Sequence, residues 1–247
     1  MSLIKGKVVK FSFNNADVPF KTAKLKKSHT KSAVTDNSST NIEYKPGRYT
    51  AEIELTCVIY KNGVKQIGKE LAFTFNAVAY KTTSLSFEDT YEETPTTHGN
   101  TPADATDWDI SLSERKITAE IWQEDTTADP ATGVEQAATL SFAPGVSAAG
   151  NVVLESKDVD GEIKSDQKLT LAGFINGAVV ETSLGLANGT QAVAKLLLAD
   201  GLVTDKEVTG TATLTSKKIS TSLDSDVEVT YKFKFTGAIT ENVKADA

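Results

Sequence analysis

Hydrophobic and polar residues alternate along much of the chain, which is the pattern of a β-strand with one buried face. A threonine-rich run at 209–215 alternates in this way, and turn residues at 222–226 separate it from a second alternating run. The two runs are therefore predicted to form an antiparallel hairpin. The apolar positions of the second run are Val227, Val229, Tyr231, Phe233 and Phe235.

The same criteria predict many strands and only one helix. The helix is expected at about 190–200, because Thr190 can cap its start, Ala and Leu favour helix, and Gly201 can end it. The predicted fold class is all-β, a β-sandwich or barrel-like fold with a single short α-helix and long loops. Other strands are predicted at 8–13, 18–27, 49–60, 69–75, 78–87, 110–123, 137–142, 168–172 and 179–183.

Two parts of the chain are similar in sequence, and this similarity is called the echo below. Residues 11–14 (Phe-Ser-Phe-Asn) and 73–76 (Phe-Thr-Phe-Asn) each precede an aromatic-Lys-Thr run, then a long polar stretch, then Thr-Ala-Glu-Ile. This indicates a repeated strand–loop–strand unit, with chance similarity between β sequences as the alternative. The polar stretches, 28–41 and 88–108, are predicted to be loops, either working parts or surface connectors without a task.

The echo also suggests how the chain is divided. An N-terminal β unit at 1–128 contains the repeated motif, and a C-terminal β unit at 129–247 contains the helix and the closing hairpin. A single domain in which the two units are intertwined is the alternative.

Composition places the chain among globular proteins. It has 247 residues, 39% of them hydrophobic, and it can bury a substantial core. No signal peptide and no apolar run long enough to cross a bilayer is found, so we expect a soluble protein made in the cytoplasm with no membrane partner. The single cysteine, Cys57, excludes an intrachain disulfide and is expected to be a buried core thiol.

The net charge of -7 argues against a protein that grips nucleic acid through its phosphates, although DNA could slide past such a surface. The charge is unevenly distributed. Residues 1–65 carry 12 Lys/Arg and 5 Asp/Glu, whereas residues 66–140 carry 4 and 14. This split suits a subunit whose basic part meets the acidic part of a neighbour, and a solvated surface is the alternative.

Motifs for chemistry are weak. The only histidines, His29 and His98, lie in polar stretches without cysteine pairs or a nucleophile motif, so neither a zinc site nor catalysis is expected. No glycine-rich phosphate loop occurs, and no cofactor is expected. The run 158–162 (Asp-Val-Asp-Gly-Glu) lacks the ligand spacing of a calcium loop and is interpreted as an acidic turn.

Several segments resemble the tail tube (major tail) proteins of long-tailed bacteriophages. They are the opening strands at 5–11 and 18–22, the Pro46-Gly47 turn with the strand after it, the Ser/Thr-rich strand at 82–86, and the closing strands at 210–216 and 229–237. The resemblance implies a structural virion protein whose copies form hexameric rings. Rings stack into a tube through which genomic DNA passes, and other tail proteins are partners. Two fused tube domains would imply a trimer instead.

Within this hypothesis, two charged groups are candidates for contacts between copies. The candidate basic inter-subunit surface consists of Lys21, Lys24, Lys26, Lys27 and Lys31. The candidate lumen or inter-ring loop consists of Glu88, Asp89, Glu92, Glu93, His98, Asp104 and Asp107. Carboxylates that face a channel would repel phosphate, whereas in a solvated loop they would have no such role.

Other functions stay open at this point. One is a different virion structural protein, such as a tail-completion ring, a capsid decoration or a fibre component. Another is a carbohydrate-binding adhesin module, in which Trp108 or Trp122 would hold a sugar instead of anchoring the packing of a strand. An enzyme is the least supported class.

Overall fold

A computed structural model describes residues 7–34, 43–96, 107–123, 127–160, 167–199 and 204–245. These residues form strands and turns and contain no helix. The strands are β1 (Lys7–Phe13), β2 (Ala16–Asp17), β3 (Thr22–Val34), β4 (Glu43–Val58), β5 (Tyr60–Lys61), β6 (Val64–Lys65), β7 (Ala72–Phe75), β8 (Val78–Thr96), β9 (Asp107–Gln123), β10 (Glu135–Ala143), β11 (Val146–Asp160), β12 (Gln167–Thr182), β13 (Gln191–Ala199), β14 (Thr204–Ser222) and β15 (Glu228–Ala245).

The all-β fold class is confirmed, and its barrel-like part is a closed cycle of six antiparallel strands. The strands pair in the order β7, β10, β11, β12, β9 and β8, and β8 pairs again with β7. Closure leaves these ladders without an edge. The interior is filled by apolar side chains that are almost wholly buried, among them Phe73, Leu85, Ile121, Leu140 and Leu171.

A second group of strands extends from β8. One edge of β14 pairs with β8 over Ser216–Ser222 and with β13 over Lys206–Thr213. Its other edge pairs with β15. Beyond β15 come β4 and then β3, and beyond β13 come β1 and β2. The strands β3, β4, β15, β14, β8 and β9 are called the open sheet below. The hairpin predicted at the end of the sequence is confirmed as β14 and β15.

Both units predicted from the sequence contribute to one core. Phe233 of β15 lies with its ring centroid 5.0 Å from that of Phe11 and 4.8 Å from that of Phe13, both in β1. All three side chains are buried. Strands from 1–128 and from 129–247 are therefore interleaved in the same sheet.

The predicted helix at 190–200 is wrong, because residues 191–199 form strand β13. Ala194, Leu196 and Leu198 are buried, while the alternate residues Val193 and Lys195 are exposed and Leu197 is partly buried, which is strand periodicity. β13 is paired on both sides, with β1 and β14, and these ladders outweigh the helix propensity of Ala and Leu. Thr190 donates its hydroxyl to the carbonyl oxygen of Ala187 at 2.7 Å and caps no helix.

The prediction of loops at 28–41 and 88–108 is wrong where the structure describes these stretches. β3 continues to Val34, β8 continues to Thr96, and β9 begins at Asp107. Residues 35–42 and 97–106 lie outside the described residues. Two long hairpins, β3–β4 and β8–β9, therefore replace most of the expected loops.

The echo in the sequence corresponds to a repeated turn. After Phe13, Asn14 and Asn15 have φ angles of 52° and 60°, and after Phe75, Asn76 and Ala77 have φ angles of 50° and 61°. Two successive positive φ values are typical of the two-residue hairpin turn whose twist matches that of its strands. In each copy this turn precedes one of the two long hairpins.

Candidate functional site

One face of the open sheet packs on the core, and the other, called the outer face, carries polar side chains aligned in rows across the strands. In the longest row, paired residues follow one another from β3 to β9: Lys24, Glu54, Lys232, Ser216, Thr90 and Glu114. A row on one side contains Lys218, Glu88 and Lys116, and a row on the other contains Lys26, Glu52 and Lys234. Opposite charges on adjacent strands contribute roughly 0.2–1 kcal/mol per pair.

The outer face is concave. A trough of about 640 Å³ lies over it, with side chains from β3, β4, β15, β14 and β8 along its walls. Cations and anions are mixed in its lining, which includes Lys24, Lys26 and Lys232 together with Glu52 and Glu88. This surface has polar character without a single dominant charge.

The residues of the candidate basic inter-subunit surface lie in β3 and immediately before it. Lys24 and Lys26 are exposed on the outer face, and the ammonium of Lys24 lies 3.5 Å from Glu54. Lys21 precedes β3 and lies 2.8 Å from Glu228. Lys27 contacts Glu241, and burial is the main cause that lowers the pKa of the Lys27 ammonium. For Lys31 the structure describes the backbone, which pairs with Pro46.

The acidic candidates do not form one group. Glu88 lies on the outer face, 3.7 Å from the ammonium of Lys218, and Glu93 contacts Lys234. Glu92 is exposed, whereas Asp89 is buried on the core face. The backbone of Asp107 pairs with Thr96 at the start of β9. His98 and Asp104 lie outside the described residues.

Asp89 belongs to an ionic row on the core face, with Lys217 and Asp89 buried and Arg115 partly buried, that no sequence pattern predicted. The paired residues Lys217, Asp89 and Arg115 follow one another on β14, β8 and β9. The side chain of Lys217 is fully buried and contacts Glu181 of β12. Arg115 lies 3.6 Å from Asp89, and burial is the main cause that raises the pKa of the Asp89 carboxyl.

The described residues were searched for metal-ligating groups and for the candidate thiol and tryptophan residues. They contain no group of three or more His, Cys, Asp or Glu side chains that could hold a metal ion. Cys57 is buried as expected, and burial raises the pKa of its thiol to about 12. Trp122 is partly buried on β9, and Trp108 pairs through its backbone with Pro95. No helix in the described part of the chain is long and apolar enough to cross a membrane.

The sequence was also compared with known proteins. No protein-family model matches it, and no curated protein matches it.

Proposed function

We propose that this protein is a structural subunit whose copies assemble into stacked rings, and that these rings form the tail tube of a bacteriophage. The observation that carries the proposal is the long strand β3. It spans 13 residues and pairs with β4 on one side, and no described strand pairs with it on the other. Unpaired backbone amides and carbonyls along such an edge favour the addition of a strand from another chain.

A subunit with one closed half and one open half suits ordered assembly. The six-stranded barrel has no edge to offer, so strand addition is confined to the strands outside it, among which β3 is the longest edge strand. One subunit type that joins through two different surfaces forms a ring when the rotation closes. The proposal allows a hexamer, or a trimer if the repeated hairpins represent two fused tube domains.

The outer face supports a passive role toward DNA. Its lysines stand opposite carboxylates on adjacent strands, as Lys24 does with Glu54 and Lys232 does with Glu54. Phosphates would meet both attraction and repulsion on such a surface, and no run of unpaired cations would hold them. We therefore propose that DNA passes this face without sequence-specific binding, that the protein acts without catalysis or cofactor, and that it works in the virion tail with other tail proteins.

Purified full-length protein tests the proposal directly. At micromolar concentration and low salt, negative-stain microscopy should show hollow rings or tubes, and mass photometry should show multiples of the subunit mass. Because the proposed contacts are charged and partly exposed, assembly should weaken as ionic strength rises. A discrete monomer under all these conditions would overturn the proposal, and a monomer that binds glycans would favour the adhesin alternative.

A further inference from the structure

Three Asn-Gly pairs occur in the sequence, at 62–63, 176–177 and 188–189, and the structure describes all of them. Asparagine followed by glycine is especially prone to deamidation, because glycine has no side chain to hinder the attack of its own backbone nitrogen on the asparagine amide. The reaction requires that amide and that nitrogen to be free of other bonds. The fold gives the three pairs different surroundings.

The first pair forms an exposed hairpin turn. Asn62 and Gly63 join β5 to β6, and their φ angles of 53° and 75° are the two successive positive values of a two-residue turn. Both residues are exposed, and beyond the chain neighbours nothing lies within 4 Å of the position that a Cβ of Gly63 would occupy. Within the described part of the chain, neither the Asn62 side chain nor the Gly63 nitrogen has a hydrogen-bond partner.

The second pair is held through its asparagine. The side-chain nitrogen of Asn176 donates to one carboxylate oxygen of Glu135 at 2.7 Å, and the other oxygen of Glu135 accepts from Asn151 at 3.1 Å. The carbonyl oxygen of Gly177 accepts from Arg115 at 2.5 Å. The Asn176 amide must leave Glu135 before it can react, so this pair should react slowly although it is exposed.

The third pair is held at both reacting groups. The side-chain nitrogen of Asn188 donates to the carbonyl oxygen of Asp89 at 2.8 Å, and the backbone nitrogen of Gly189 donates to the carbonyl oxygen of Leu214 at 2.9 Å. The side-chain oxygen of Asn188 is buried, and the Tyr91 ring lies 3.0 Å from the position of a Cβ on Gly189. Neither the attacking nitrogen nor water can reach this amide easily.

We propose that Asn62 is a site of spontaneous deamidation in the folded protein, and that the fold protects Asn176 and Asn188. The Gly63 nitrogen, after losing its proton to solvent, attacks Cγ of Asn62. A five-membered succinimide forms, the Cγ–Nδ2 bond breaks, and the amide nitrogen takes a proton from solvent and leaves as ammonia. Water then opens the ring: cleavage at Cγ gives aspartate, and cleavage at the backbone carbonyl carbon gives isoaspartate.

The modification alters a contact between two turns. The ammonium of Lys61 donates to the carbonyl oxygens of Pro144 and Gly145, at 3.1 and 3.5 Å, in the turn between β10 and β11. Both products place a new carboxylate beside Lys61, and isoaspartate also lengthens the backbone of the two-residue turn. Because β5 and β6 form a separate two-stranded sheet, the change should stay local and the modified chain should remain folded.

Peptide mapping of the full-length protein tests the proposal, at a concentration low enough for the chain to be monomeric, so that assembly has no part in the result. At neutral pH, mass spectrometry should show conversion of Asn62 about tenfold faster than that of Asn176 or Asn188, because those two must first break hydrogen bonds. Products formed in heavy-oxygen water should carry the label. In guanidinium chloride the three pairs should convert at similar rates, because each is asparagine before glycine.

Two variants complete the test. Glu135→Ala should speed the conversion of Asn176 several-fold in the folded protein and leave Asn62 unchanged, because it removes the acceptor that holds the Asn176 amide. Asn62→Gln is the control and should abolish the dominant product, because glutamine cyclises much more slowly. Equal rates at the three pairs in the folded protein would overturn the proposal. A preference for Asn62 that persists in guanidinium chloride, or an Asn176 rate that Glu135→Ala does not change, would overturn the protective role of the fold.

Discussion

Lys217 offers the sharpest test of how the barrel and the open sheet are joined. Its ammonium is fully buried, contacts Glu181 and lies in the same cross-strand row as Asp89. Lys217→Met keeps most of the side-chain volume but removes the charge. Breaking a buried ion pair in this way costs about 3–5 kcal/mol, and we expect about 3 kcal/mol here because the side chain of Glu181 is 26% exposed and can be partly hydrated.

The loss of unfolding free energy caused by Lys217→Met should depend on pH. Burial raises the pKa of Asp89, so the folded state favours its neutral form, and ionised Asp89 disfavours folding as pH rises through that raised pKa. Lys217 offsets this charge when Asp89 is ionised. The penalty of Lys217→Met should therefore be largest at neutral pH and should shrink as pH falls toward about 4, the ordinary range of a carboxyl group.

Urea denaturation at both pH values measures the effect, at a protein concentration low enough for the chain to be monomeric. Lys218→Met is the matched control on the same strand. Lys218 is 49% exposed and lies 3.7 Å from Glu88, so its loss should cost less than about 1 kcal/mol. An equal effect of the two substitutions, or a Lys217→Met penalty that grows on acidification, would refute the reasoning.

Two further predictions concern the core. Phe233→Ala should lower the free energy of unfolding by about 4 kcal/mol, because the ring is buried against Phe11 and Phe13, whereas Leu223→Ala, at a half-exposed turn residue, should change it by less than about 0.5 kcal/mol. Similar urea midpoints for the two variants would contradict the packing. Cys57 should react with a thiol reagent only after unfolding, since burial raises its pKa to about 12 and hides the sulfur; fast reaction in native buffer would count against its burial.

Much of the fold could be predicted from the sequence, because period-2 alternation reflects burial on one face of a strand. The helix at 190–200 could not be excluded, since Ala and Leu suit both a helix and a doubly paired strand. The polar stretches 28–41 and 88–108 resemble loops in sequence because the ends of long hairpins need not be apolar on either face. Strand β11 was missed because Ser147, Gly150 and Asn151 interrupt its apolar pattern.

The candidate site was only partly visible in the sequence. The burial of Asp89 could have been found, because it continues the alternation of Leu85 and Phe87. Lys217 could not, because the register shift between Leu214 and Ser216 reverses which residues of β14 face the core. The position of Lys24 and Glu114 in one row depends on pairings between distant segments, and no local pattern reports those.

The pairing of β4 with β15 has a consequence for how the protein is made. Among the described strands, β4 is joined to the rest of the sheet through Glu228–Lys234 of β15, which are translated after every strand of the barrel, whereas the barrel needs nothing beyond β12. During translation the barrel can fold first, while the β3–β4 hairpin awaits its anchor.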